Sequence, residues 1–221
     1  MTSNSTPRPL TAREPLASEF GIRQQQQRII AALATEISKR GYQAVTVADV
    51  VKRAGISRNT FHETFADKES CFLEAQKFAI SSALERVIEA AGESEKWPDQ
   101  AAAGLAAFLH FVAEEPALAR TCMVETVTAG PAGAGFYEEA LLPFISLVKI
   151  GRTVSPFGDE LPETMEEAIV GGIFWIVYQR LTGCPVEDVE QLLPGIIEFA
   201  LTPYLGAEAA RELAASSKLA K

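Results

Sequence analysis

The sequence predicts an all-α protein: a three-helix unit of the helix-turn-helix kind near the N-terminus, followed by a larger helical body. Three observations carry this reading. Apolar residues recur at helical spacing from Ile22 onward. No stretch alternates β-branched residues between hairpin turns, so strands are not expected. Cap and stop residues are dense between 40 and 68, with Thr46, Ser57 and Asp67 at starts and Gly41 and Gly55 at ends.

The elements follow in order. Met1 to Glu19 is rich in Thr, Ser and Pro without an apolar period, which predicts a mobile arm over residues 1–20. A first helix runs from about Ile22 to Arg40, with Ile30, Leu33 and Ile37 on one stripe. Thr46 with Asp49 has capping-box spacing, and Val45 with Val50 can staple the start of the second helix. Gly55 ends that helix, and Ser57 caps a third almost at once, so the two must meet at a sharp angle. Asp67 caps a fourth helix running to about Ala91, and residues 21–68 are bounded as one domain.

The body, residues 69–210, reads as further helices over Asp99–Glu114, Pro116 to before Gly130, Gly133–Ile150, Pro162–Leu181 and Val186–Leu205. A loop is expected from Gly151 to Leu161. Pro194 either kinks the last helix or starts a new segment, and the Ala-rich tail, 211–221, is expected to fray.

Charge and composition narrow the function classes. Apolar residues make up 48% of 221 residues, enough for a real core. Net charge is −9, but residues 1–75 hold ten Lys/Arg against eight Asp/Glu, whereas residues 76–221 hold ten against twenty-one. An acidic body is repelled by phosphate, so only the N-terminal part suits a nucleic acid. Three scattered cysteines argue against a disulfide framework or zinc site and fit a reducing cytoplasm. No signal peptide or membrane span is expected, and no cofactor or metal motif stands out.

The stretch TVADVVKRAGISRNTFHETF, Thr46 to Phe65, carries the chemistry. Ser57, Arg58, Asn59, Thr60 and His62 on the third helix are all donors. Arg58 and Asn59 can make bidentate contacts to guanine and adenine edges. Thr46 and Lys68 lie at flanking helix starts, where phosphate clamps would sit.

From about Gln25 to Glu74 the chain resembles the DNA-binding domain of TetR-family repressors. Thr46, Val47, Ala54, Gly55, Ser57, Thr60, Phe65, Lys68 and Glu69 fall in the family register. Asn59 stands where Gly is usual, His62 where Tyr is usual and Thr64 where His is usual. The resemblance implies a regulator, usually a repressor, that binds double-stranded DNA as a homodimer. It also implies that a small-molecule effector releases the protein from its operator, and that the last two helices form a four-helix interface about a two-fold axis. Ile169, Gly172, Ile173, Ile176, Ile196 and Leu201 are the expected interface residues, with Ala168, Gly171 and Trp175 on another side of the same helix. Phe108, Phe111, Met123, Phe136, Tyr137 and Trp175 are the expected pocket for an apolar or aromatic effector.

Two rival classes stand beside this reading. An enzyme is disfavoured because His62 and His110 lie at unrelated places and no catalytic motif emerges. Pairs such as Glu114-Glu115 and Glu166-Glu167 read as solvated helix faces. A helical adaptor that binds no DNA would not need Arg58, Asn59 and Lys68 around a capped helix.

Overall fold

A computed structural model describes residues 13–128, 131–183 and 186–217, with side chains from Gly21 to Thr126, Ala140 to Gly183 and Val189 to Ser217. The described residues contain helices and no strand. The first four helices are α1 (Arg13–Arg40), α2 (Val47–Ala54), α3 (Arg58–Thr64) and α4 (Lys68–Ala91). The body adds α5 (Trp97–Glu114), α6 (Pro116–Met123), α7 (Glu125–Thr128), α8 (Pro131–Lys149) and α9 (Gly151–Val154). It closes with α10 (Met165–Gly183), α11 (Leu193–Leu205) and α12 (Ala207–Ser216). Short 3-10 turns cover Gly158–Glu160 and Val186–Leu192.

The expected caps form. Thr46 accepts from the Asp49 N–H while Asp49 accepts from the Thr46 N–H at 2.9 Å, a complete capping box. Gly55 takes φ 64°, the left-handed conformation that lets α2 stop and the Ser57 cap of α3 follow two residues later. Ser57 Oγ accepts from the Thr60 N–H at 3.0 Å, and Asp67 with Ser70 forms a second reciprocal box at the head of α4. Ile29, Ile30, Leu33, Ile37, Val50 and Phe61 are buried together, so the three short helices share one core. α4 runs on from that core and packs along α5, and α1 leans on α6, which seats the N-terminal unit on the body.

Several boundaries differ from expectation. α1 reaches back to Arg13, into the segment read as an arm, because Pro15 fits a first turn and Leu16, Ala17 and Glu19 favour helix. The helix expected from Pro116 breaks at Val124 into α6 and α7. The Gly151–Leu161 loop contains α9 and a 3-10 turn. Pro194 starts a new segment, lying in the first turn of α11 after the Val186–Leu192 turn. The tail does not fray at residue 211: α12 packs on α11 and buries Ala210 and Ala214, small enough for close approach.

No single described helix is long and apolar enough to cross a membrane. Cys71 and Cys122 are free, and burial pushes both thiols up to about 12, leaving them unreactive. Cys184 lies outside the described residues.

Candidate functional site

The third helix presents a polar face. Ser57, Arg58, Asn59 and His62 are exposed, while Phe61 on the opposite side is fully buried and fixes the helix on the core. Ser57 and Thr60 are occupied with each other, their hydroxyls 2.8 Å apart at the cap. His62 Nδ1 lies 3.1 Å from the Ala66 carbonyl oxygen, and its ring stands edge-on to Phe61. Arg58 and Asn59 have no side-chain partner among the described residues, so both are available to base edges or phosphate.

The flanking clamps divide. Thr46 is exposed, though its hydroxyl already donates to Asp49 at 2.6 Å; that bond, with the backbone bond and Arg40, holds the Asp49 carboxyl down to about 2. Lys68 is not a free clamp. Its Nζ donates to the Tyr42 and Val45 carbonyls, both at 2.9 Å, and sits over the Tyr42 ring. Partial burial lowers its pKa. Lys68 therefore pins the turn that positions α2, a role that its place at a helix start does not reveal. Arg40 and Arg53 are also engaged, both with Glu36, and Arg40 lies 3.2 Å from Asp49. Lys52 is exposed on the same helix as Arg53, and a lone Lys on a helix surface carries no motif by which the sequence could mark it.

The Tyr42 turn is also where the body touches the reading unit. Buried Glu125 on α7 accepts from the Tyr42 N–H at 2.9 Å. Beside it, fully buried Gln76 of α4 donates to Thr126 of α7, and the Tyr42 ring packs on Phe72 of α4 at 4.4 Å. One turn thus holds contacts from α4, α7 and Lys68 at once.

The body holds an apolar cavity of about 120 Å³ between α4, α5, α8, α10 and α11. Trp97, Phe108, Phe144 and Phe174 supply its aromatic walls, and Gln100 on α5 is the polar side chain with an amide among its lining residues. Of the expected pocket residues, only Phe108 lines it. Phe111 and Met123 are buried elsewhere in the core, and Trp175 is 59% exposed on the outer side of α10. The side chains of Phe136 and Tyr137 lie outside the described residues. Trp97, Phe144 and Phe174 belong to the wall that periodicity left undivided: an apolar stripe shows which side faces in, but not where packing leaves space.

The expected dimer residues need the larger correction. Ile169, Ile173, Ile196 and Leu201 are buried within the single chain, and Ile173 and Leu201 line the cavity. Ile176 is half-buried against the same core. The outward side of α10 carries Ala168, Gly171 and Trp175 instead, and Phe199 of α11 is 45% exposed beside it. A Cβ at Gly172 would come within 2.9 Å of the Phe199 ring, so this glycine lets α11 lie close to α10. α10 is apolar nearly all round, and the branched side chains filled the chain's own core.

Glu166 is buried, not solvated. It accepts from Tyr204 Oη at 2.7 Å and from Arg152 Nε at 2.7 Å, and Arg152 also donates to the Leu161 carbonyl. Burial raises the carboxyl, but Arg152 and Tyr204 outweigh it and the net shift is downward. This cluster ties α9, α10 and α11 behind the cavity, where Trp97 meets Tyr204 edge-on at 5.0 Å. Among the described residues, no group of three or more His, Cys, Asp or Glu side chains could hold a metal ion.

Comparisons with known proteins agree with this architecture. Residues 29–75 match the family described as bacterial regulatory proteins, tetR family. No curated protein matches the sequence. Among solved structures, the fatty acid degradation regulator FadR from Bacillus halodurans is similar at 20% identity and TM-score 0.66, over 76% of this chain and 94% of that one. FadR from Bacillus subtilis, solved in complex with stearoyl-CoA, is similar at 18% identity and TM-score 0.64, over 81% and 98%. A tetR-family regulatory protein from Rhodococcus RHA1 follows at 19% identity and TM-score 0.63, over 82% and 97%. At these identities the likeness is one of fold, and it spans both the reading unit and the body. Residues 29–75 thus carry a helix-turn-helix segment that matches the tetR family of bacterial regulatory proteins.

Proposed function

We propose that the protein is a ligand-responsive transcriptional repressor that binds a pseudo-palindromic operator as a homodimer and releases it when an apolar effector enters the body. It works in the cytoplasm and without catalysis. Residues 21–68 form the reading unit, and residues 69–210 form the effector and dimer unit. The observation that carries this reading is the polar side of α3: Arg58 and Asn59 stand exposed and unpaired on a helix capped by Ser57 and fixed by Phe61. One short helix reads few base pairs. Two copies related by a two-fold axis read half-sites about one helical turn, or a multiple of it, apart.

The route from cavity to DNA runs through α4 and α7. α4 lines the cavity with Val87 and Ala91 at its far end and carries Lys68, Phe72 and Gln76 at the near end. An effector that prefers the body in one arrangement of α4 biases the Tyr42 turn, and with it α2 and α3. The structure of B. subtilis FadR in complex with stearoyl-CoA supports the idea that a regulator of this fold can bind a small molecule with a long apolar chain.

Selection of random duplexes with the purified protein tests the reading. Recovery of an inverted repeat is the expected result. Failure to prefer any duplex over a scrambled competitor in moderate salt, with and without effectors, overturns it.

A further inference from the structure

We propose that the effector is an uncharged molecule, a compact ring or short chain bearing one hydroxyl-type donor, and that carboxylates and acyl thioesters of coenzyme A are rejected. This rests on reading the cavity as the effector site. Four features on different elements converge on it.

The first is size. A cavity of about 120 Å³ is in the class that holds a single benzene-like ring, an engineered apolar cavity of about 150 Å³ being large enough for benzene. The second is the lack of charge on the described walls: among the described lining residues there is no Lys, Arg, Asp or Glu, so a buried carboxylate or phosphate would lose its hydration without gaining a partner from them.

The third is the amide at the mouth. Gln100 Nε2 already donates to the Ser94 carbonyl at 2.8 Å. Gln100 therefore keeps one N–H and its carbonyl oxygen. A hydroxyl can satisfy both, whereas a carboxylate can use only the N–H, and one neutral donor does not offset the hydration a buried anion loses. The fourth is the rim. Exposed Glu89, Glu93, Glu95 and Asp99 lie along the segment that contributes Ala91 and Gln100, against Lys96 there and Lys149 beside the α8 wall. The local field at this rim disfavours anions. Phe108, Phe144 and Phe174 pack at 5.8–6.2 Å between centroids, in edge-on, stacked and tilted pairs, and give the cavity an aromatic wall against which a flat ring can pack.

Calorimetric titration of the full chain with 4-methylphenol, toluene, 4-methylbenzoate and octanoyl-CoA tests the proposal. The expected order places 4-methylphenol first and 4-methylbenzoate weaker by at least about tenfold. Gln100→Leu should weaken 4-methylphenol roughly fivefold and leave toluene unchanged. A 4-methylbenzoate or octanoyl-CoA affinity equal to that of 4-methylphenol overturns the proposal, as does failure of both 4-methylphenol and toluene to bind. An unchanged preference for 4-methylphenol over toluene in Gln100→Leu also overturns it; should that variant not fold, the wild-type ranking decides. If octanoyl-CoA binds and releases the operator, the ligand class falls while the regulator reading stands. If 4-methylphenol binds as expected but operator affinity does not change, the ligand class stands and the effector reading falls.

Discussion

At the scale of single residues, the reading helix separates contact from support. Arg58 is exposed and has no hydrogen-bond or ion-pair partner among the described residues, so Arg58→Ala should cost about 1–3 kcal/mol of operator affinity with thermal stability unchanged, measured by fluorescence anisotropy and a melting curve. Glu166 is the opposite case. Removing it strands Arg152 and Tyr204 in a largely buried site, so Glu166→Ala should cost about 3 kcal/mol in urea denaturation. Its folded pKa is lowered, so its contribution is present above the ordinary carboxylate pKa and is lost as pH falls through the folded value. The sequence made Arg58 legible because donors clustered after a cap. It hid Glu166, because an adjacent carboxylate pair at a helix start looks solvated until a distant Arg and Tyr fold onto one member. Lys68 shows the same limit: its position at a helix start suggests phosphate, and only the folded turn places two carbonyls at its amine.

Helices and turns were legible where local chemistry set their ends. Thr46, Ser57, Asp67 and Gly55 act through neighbours three or four residues away, so their caps could be read directly. The α6–α7 break, α9 and α12 depend on distant packing and could not. The Tyr42 turn belongs to this scale. Glu125→Ala removes the acceptor of the Tyr42 N–H and should cost about 1–3 kcal/mol of stability and shrink the effector-induced change in operator affinity, whereas Glu125→Gln, which keeps an acceptor, should restore the response. Titrations of operator binding with and without effector would compare the two. A second inter-element tie is His110 on α5, bonded to Glu190 near the Val186–Leu192 turn at 2.8 Å and close to Glu114, with Arg86 opposing. The Glu190 bond, with the Glu114 charge, raises the His110 pKa. The stabilisation is therefore full below the ordinary histidine pKa and is lost as pH rises through the folded value. Urea curves for wild type and His110→Gln should converge at alkaline pH and separate in mild acid.

For the whole molecule, the charge is divided between an acidic body and a near-neutral N-terminal part, so only the latter suits a duplex, a division that charge counting alone reveals. Which apolar face lies outward was not legible, since α10 is apolar on all sides and only the assembled core shows that Trp175 and Phe199 are left over. Trp175→Lys should therefore give a helical monomer by sedimentation and lose operator binding. The ion pairs of Glu36 with Arg40 and Arg53 have a consequence for binding in salt. Those guanidiniums are already paired with carboxylates at the surface, so fewer of the unit's cations are free to displace condensed counterions from the duplex. A plot of log affinity against log salt should be shallow for a DNA binder, and occupancy of the operator should persist through an osmotic upshift that would strip a strongly basic protein from its site.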